Sequence, residues 1–94
     1  MASSAFTRAV IRNAGGQCEV LGCDAVATSA HHFLKQSTWP EYRDDPDNGM
    51  ATCGPDHSEI ERRLRGGEDA TEMYPKGRYQ VMLDKSERES ANKP

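Results

Sequence analysis

The sequence predicts a single small α+β domain in which two short strands lie between helices. The length of 94 residues fits one domain. Apolar residues recur first at helical spacing, then in two short strand-like runs, then again at helical spacing. All three cysteines and all three histidines fall within residues 18–57. Because so short a chain buries a modest core, this concentration suggests that a metal ion or a disulfide stabilises the fold.

The composition limits the classes of function. Only 35% of the residues are hydrophobic and the mean hydropathy is -0.85, with apolar runs too short for a membrane span or a secretory leader. We therefore expect a soluble, intracellular, cytoplasmic protein without membrane contact. The formal net charge of -3 gives no overall attraction to nucleic acid, so any such contact must come from a local patch.

The first element is an N-terminal helix within residues 1–16. Ser3 or Ser4 can cap it, Phe6 and Val10 recur at helical spacing, and a Gly-Gly pair ends it.

Residues 26–33 are typical of a short strand that ends at His31 and His32. Since adjacent side chains on a strand point to opposite faces, the two histidines are poorly placed to bind one ion together. We therefore expect the two histidines to have different tasks, one as a metal ligand and the other as a general base. The alternative is that one of them is simply packed or solvated.

A polar connector over residues 34–47 leads to the returning strand at 50–53, with a turn at Asp47-Asn48-Gly49 whose Asn and Gly suit left-handed backbone. Trp39 and Tyr42 are expected to anchor the connector to the core, although stacking on a nucleotide is also possible.

The second helix opens at Pro55 and runs to Gly66-Gly67. Asp56 lies three residues after Cys53, whereas His57 is rotated by about 100° further round the helix. Asp56 can therefore join the cysteines while His57 faces elsewhere. Ile60 and Leu64 are expected to continue the His57 stripe toward the core.

Three cysteines cannot all pair within one chain, and the expected compartment is reducing, so metal ligation is favoured. A disulfide between Cys18 and Cys23, or plain buried thiols, is the alternative.

Basic residues on the predicted helices supply candidate phosphate contacts. Those of the second helix could instead form salt bridges to Glu59, Glu61 or Glu68, and those of the first could simply be solvated. The candidate DNA-binding residues are Arg8, Arg12, Lys35, Arg62, Arg63 and Arg65.

The C-terminal part is less informative. Residues 68–77 are expected to form a loop, and residues 79–88 a short helix or strand that buries an apolar set before the chain frays over residues 86–94. The apolar set is Tyr79, Val81, Met82 and Leu83.

Three linked motifs, A-H-H at 30–32, D-N-G at 47–49 and C-x-x-x-H at 53–57, together resemble the HNH endonucleases, whose active site is a ββα-metal (His-Me finger) unit. The resemblance covers roughly residues 18–67. It implies a ββα-metal nuclease core over 17–67 with a zinc knuckle. From the residues themselves we expect an N-terminal helix over 1–16 that packs on this core, and a partly frayed C-terminal extension over 68–94. Small standalone members are common in bacteriophage genomes, so the resemblance also implies a phage or bacterial source.

The resemblance implies a metal-dependent endonuclease that nicks DNA with low sequence specificity. His32 would be the general base and Asn48 would brace the loop that orients it. His31 and His57 would hold one divalent ion: Mg, Mn, Ni or Zn. The partner would be DNA, contacted through its phosphates, and a protein partner could direct the enzyme to its target.

The zinc-stapled branch of that family usually holds a structural zinc with two C-x-x-C pairs. In this chain Cys18, Cys23 and Cys53 would supply three thiolates, and Asp56 stands in the fourth position. A carboxylate can bind zinc, so such a site is chemically allowed. Loss of the zinc site, with a fold held by packing alone, stays open. A non-catalytic zinc-stapled DNA-binding or adaptor module is the alternative function.

Overall fold

The computed structural model describes residues 4–91. Within this range, three helices and a two-stranded antiparallel sheet confirm the α+β class. Short 3-10 turns lie at Pro40–Tyr42, Pro46–Asn48 and Thr71–Met73. The regular elements are α1 (Ser4–Asn13), β1 (Ser29–His32), β2 (Gly49–Thr52), α2 (Gly54–Arg65) and α3 (Lys76–Ala91). The predictions for Ser3 as a cap and for residues 92–94 fall outside the described residues. Within those residues no helix has the length and apolar character needed to cross a bilayer.

The sheet aligns the histidine pair with the second strand. Ser29 pairs with Thr52, and His32 pairs with Gly49. The predicted strand over 26–33 was too long, because Val26 is 73% exposed and takes part only in an isolated bridge with Gln17. Helix α2 begins just after β2, so the strand carrying the histidines and the first turn of α2 are neighbours.

Helix α1 covers one face of the sheet through Phe6 and Val10, which are buried. Their close approach requires Gly49, where a Cβ atom would lie 2.7 Å from Phe6 Cζ and closer still to Val10 Cγ2. The predicted left-handed conformation at this turn was wrong, since Gly49 has a φ of -124°. Glycine is needed here for the space it leaves rather than for its backbone freedom.

The larger core lies between the sheet, α2 and α3, where Met50, Ile60 and Met82 are fully buried. Two predicted core residues are not in it: Leu64 is 37% exposed and Val81 is 60% exposed. Leu64 stands in the last turn of α2, where it lines the histidine-lined cavity. Val81 falls off the α3 stripe that packs on the core, because a helix buries only residues three or four apart.

Helix α3 is held to the sheet by Arg78, which forms an ion pair with Glu19 and donates to the Gly49 carbonyl at 2.6 Å. At its other end Tyr42 Oη donates to Glu89 Oε2 at 2.8 Å. These contacts explain why the helix continues to Ala91, where the sequence suggested fraying from residue 86.

Candidate metal centres

One cluster of metal-ligating side chains forms where β1 meets α2. His31 comes from β1, and His57 and Glu61 lie one turn apart on α2. We call these three residues the histidine cluster. Their ligand atoms all lie within 4.8 Å of one another. Glu61 Oε1 is 3.3 Å from His57 Nε2 and 3.6 Å from His31 Nδ1.

These separations suit a metal ion. Nitrogen and carboxylate ligands lie at about 2.0–2.2 Å from zinc, so neighbouring ligand atoms in a tetrahedral site stand about 3.3 Å apart. Sequence reasoning assigned His31 and His57 to the ion but missed Glu61 as a ligand. Its spacing of four residues from His57 was the available signal, because side chains four apart share a helix face.

His31 is held by its other ring nitrogen. Nε2 lies 2.9 Å from Tyr74 Oη, and the side chain is buried. Burial lowers the pKa of His31 to about 4, against the opposing effect of the Glu61 carboxylate. The ring is therefore neutral near pH 7, which is the form that binds metal ions.

His57 is held in the same manner. Its Nδ1 lies 2.9 Å from Ser29 Oγ, which in turn lies 2.9 Å from Thr52 Oγ1. The hydrogen bond to Nδ1 leaves Nε2 directed at Glu61. Hydrogen-bond partners of this kind orient metal-binding histidines.

His32 has a different environment from His31, as the strand alternation predicts. Its ring stacks on Phe6 with 4.3 Å between centroids and 3° between planes. His32 Nε2 lies 2.9 Å from the Arg43 carbonyl oxygen. A carbonyl can only accept, so Nε2 carries the proton and Nδ1 of the neutral ring has a free lone pair.

Asn48 is fully buried and fixes the connector between the strands. Its Oδ1 accepts from Leu34 N at 2.8 Å, and its Nδ2 donates to the Leu34 and Tyr42 carbonyls at 3.1 and 3.2 Å. No hydrogen bond joins it to His32 within residues 4–91. The Tyr42 carbonyl that Asn48 binds belongs to the residue before Arg43, whose own carbonyl lies 2.9 Å from His32 Nε2.

The histidine cluster opens into a cleft, formed by two adjoining cavities of about 450 Å³ and 480 Å³. Both are lined by His31, His32 and Glu61. Lys35 and Arg65 line the first cavity. We call this continuous opening the histidine cleft. The histidines, Lys35 and Arg65 all line this one cleft.

The predicted basic residues divide into two groups. Arg62 and Arg63 both bind Glu59, at 2.7 and 2.8 Å, and these contacts lower the pKa of Glu59 to about 2. These two arginines therefore form the salt bridges that the sequence offered as the alternative to phosphate contacts. Arg65 and Lys35 form no ion pair with any residue in the range 4–91, and they line the cleft.

The remaining candidates, Arg8 and Arg12, are exposed on α1. Each lies two residues from Val10, on the side of the helix turned away from the sheet. The structure does not bring them into the lining of the histidine cleft.

A second cluster is formed by three cysteines and one aspartate. Cys18 and Cys23 lie between α1 and β1, Cys53 is the N-cap residue of α2, and Asp56 lies in its first turn. As helical geometry predicted, Asp56 is on the cysteine side and His57 is not. We call these four residues the thiolate cluster.

The distances in the thiolate cluster fit a tetrahedral ion. Cys23 Sγ is 3.9 Å from Cys53 Sγ, and Asp56 Oδ2 is 3.4 Å from Cys18 Sγ and 3.2 Å from Cys53 Sγ. Ligands at about 2.3 Å for sulfur and 2.0–2.2 Å for oxygen would stand about 3.8 Å apart for a sulfur pair and 3.5 Å apart for sulfur and oxygen. These four residues lie close together and could bind a metal ion.

The three cysteines are free thiols, which sets aside the disulfide alternative. Asp56 raises the pKa of the Cys23 thiol to about 12. The thiols of Cys23 and Cys53 in turn lower the pKa of Asp56. A cation would replace the protons shared within this cluster, so its binding would release protons and tighten as the pH rises.

Comparisons with protein-family models, with curated proteins and with solved structures give no match to this chain. A function for this chain is therefore inferred from the geometry of the two clusters and of the cleft.

Proposed function

We propose that the protein is a metal-dependent endonuclease of the HNH, ββα-metal type. One observation carries the proposal: three metal-ligating side chains converge in a cleft that is also lined by His32. The order of two antiparallel strands and a helix, with ligands from the first strand and from the helix, is the arrangement that the sequence motifs imply. Enzymes of this type hydrolyse the phosphodiester bonds of DNA.

The chain's own groups supply the proton transfer. His32, whose ring is held by Phe6 and by the Arg43 carbonyl at Nε2, accepts a proton from the attacking water at Nδ1. Lys35 and Arg65 offset the charge of the phosphate in the cleft. A divalent ion held by the histidine cluster would supply Lewis-acid stabilisation of the negative charge that develops on the phosphate. Water attack at phosphorus with loss of the 3'-oxygen gives a 5'-phosphate and a 3'-hydroxyl.

The ligand set bears on the choice of metal. Two imidazoles and one carboxylate favour Mn²⁺, Ni²⁺ or Zn²⁺ over Mg²⁺, which prefers an all-oxygen shell. Among the divalent ions that the sequence motifs allow, we propose that the transition metals bind most tightly.

The thiolate cluster has a separate role in the proposal. Cys18, Cys23, Cys53 and Asp56 hold a structural zinc ion that ties the loop before β1 to the start of α2. Purified protein should contain about one equivalent of tightly held zinc. Substantially less zinc in protein that is still folded would count against this staple.

We also propose how the enzyme meets its DNA and in which cells it acts. The formal net charge is -3, and among residues 4–91 only Lys35 and Arg65 are cations that line the cleft. Affinity for duplex DNA should therefore be weak and dependent on salt. We propose an enzyme of the bacterial or phage-infected cytoplasm that a protein partner brings to its target.

The direct test is a nicking assay with supercoiled plasmid and added Mg²⁺, Mn²⁺ or Ni²⁺. The wild-type protein should convert the plasmid to nicked circles, and His32→Ala should abolish the conversion. His57→Ala should raise the metal concentration needed. Asn13→Ala, an exposed and uncharged change outside the cleft, serves as the matched control and should cleave like the wild type. A wild-type protein that stays inert with every metal, or a His32→Ala variant that cleaves equally well, would overturn the proposal.

A further inference from the structure

A second groove adjoins the histidine cleft, between the connector and α3. Its volume is about 620 Å³, which lies within the range of roughly 300–1,000 Å³ typical of small-molecule sites. Trp39, Tyr79 and Leu83 form its apolar walls, and Glu87 and Ser90 lie at its polar rim. We call it the aromatic groove.

The groove adjoins the histidine cleft, because Lys35 lines both. Phe33 and Leu34, which follow His32 directly in the chain, also line the groove. A strand of nucleic acid with one phosphate beside the histidine cluster would therefore have the groove next to it, on the far side of Lys35.

We propose that the aromatic groove holds an unpaired nucleobase next to the scissile phosphodiester, so that the substrate is single-stranded or locally unpaired nucleic acid. This inference rests on the proposed nuclease function and specifies its substrate class.

The lining favours a base over other occupants. Trp39 and Tyr79 pack against the core yet are only half-buried, which leaves aromatic surface open to the groove. Every nucleobase has a planar face that stacks on such rings. The Glu87 carboxylate and Ser90 hydroxyl can accept hydrogen bonds from the amino or imino groups of a base edge.

Charge and base pairing point to the same class of substrate. A duplex hides its base faces, so it could not use the groove. Of the residues in the range 4–91, the cleft would offer its phosphates only the cations Lys35 and Arg65, against a net charge of -3. A single strand gains stacking energy in addition to these phosphate contacts.

Trp39 makes the groove directly observable, because it is the only tryptophan of the chain. The probe is a short oligothymidylate added to the His32→Ala variant without added divalent metal, so that binding is measured without cleavage. We expect a saturable decrease in tryptophan fluorescence with the single strand and little change with a duplex of the same length.

Substitutions of Trp39 then measure how much stacking on its ring contributes to the affinity for the oligothymidylate. By anisotropy of a labelled oligothymidylate in the same His32→Ala background, Trp39→Leu should weaken binding about tenfold. Trp39→Phe, which keeps a stacking face, should largely preserve it. Val81→Ala, on the exposed side of α3, is the matched control and should bind like its parent. Circular dichroism checks the fold of each variant.

The outcomes separate this inference from the proposed function. Nicking by the wild-type protein without any fluorescence change on addition of the single strand would overturn the base site and leave the nuclease standing. Equal changes with single strand and duplex would also overturn it. Fluorescence that depends on protein concentration alone would show that a second copy of the chain fills the groove, which overturns it as well. A selective change with the single strand, in a protein that never cleaves, would support the base site and count against the nuclease.

Discussion

Replacing Asn48 by alanine tests how the connector is held and how the base is positioned. Asn48 is fully buried and makes three side-chain hydrogen bonds, one as acceptor from Leu34 N and two as donor to the Leu34 and Tyr42 carbonyls. Alanine removes all three and leaves buried backbone groups without these partners.

The cost follows from the number of bonds. A net contribution of about 1 kcal/mol for each hydrogen bond, plus the penalty for backbone groups left buried and unpaired, gives a loss of about 3 to 5 kcal/mol in the free energy of unfolding. Since domains unfold with about 5–15 kcal/mol in total, this is a large fraction of the stability. For a chain of this size it corresponds to a fall in Tm of about 12 °C or more.

Urea and thermal unfolding followed by circular dichroism measure this change. Asn13→Ala removes an exposed asparagine at the end of α1 and should change the stability by less than about 0.5 kcal/mol. A loss below about 1 kcal/mol for Asn48→Ala would refute the claim that the amide fixes the connector. In folded Asn48→Ala protein the nicking rate should also fall, because the Arg43 carbonyl no longer holds His32 in place.

Three further changes have defined outcomes. Glu61→Gln should weaken Mn²⁺ binding more than about 100-fold, because loss of a residue that only orients a ligand costs up to about 100-fold. Calorimetric titration measures the affinity, and an unchanged value would exclude Glu61 as a ligand. Asp56→Ala should weaken zinc retention. Asp56→Cys should strengthen it, since a fourth thiolate replaces the carboxylate. Competition with a chelator ranks the variants, and equal retention in all of them would contradict the proposed ligation. Burial raises the pKa of Tyr42 to about 12, so its contribution to stability is present below pH about 10 and is lost as the pH rises through about 12. Tyr42→Phe should therefore flatten the alkaline part of the stability curve, and an unchanged curve would contradict this assignment.

Local geometry was predictable from the sequence. Because Cys53, Asp56 and His57 lie within one helical turn, their separation into two clusters follows from the rotation per residue alone. The same is true of His31 and His32, whose different environments follow from strand alternation.

Features that depend on how elements meet were not predictable. The role of Glu61 depends on the position of β1 against α2, and the need for a glycine at position 49 depends on the approach of α1. Leu64 fits the helical apolar pattern of α2 but is 37% exposed, and Val81 belongs to an apolar run of which α3 buries only the members on one side. The pairing of Arg62 and Arg63 with Glu59 depends on side-chain rotamers, which sequence spacing allows but does not impose.

The most direct measurement is an anomalous-scattering map from crystals soaked in Mn²⁺. The proposed catalytic site predicts a manganese peak bounded by His31 Nδ1, His57 Nε2 and Glu61 Oε1, separate from a zinc peak among the thiolates. Absence of manganese from the histidine cluster, with metal found only at the cysteines, would contradict it.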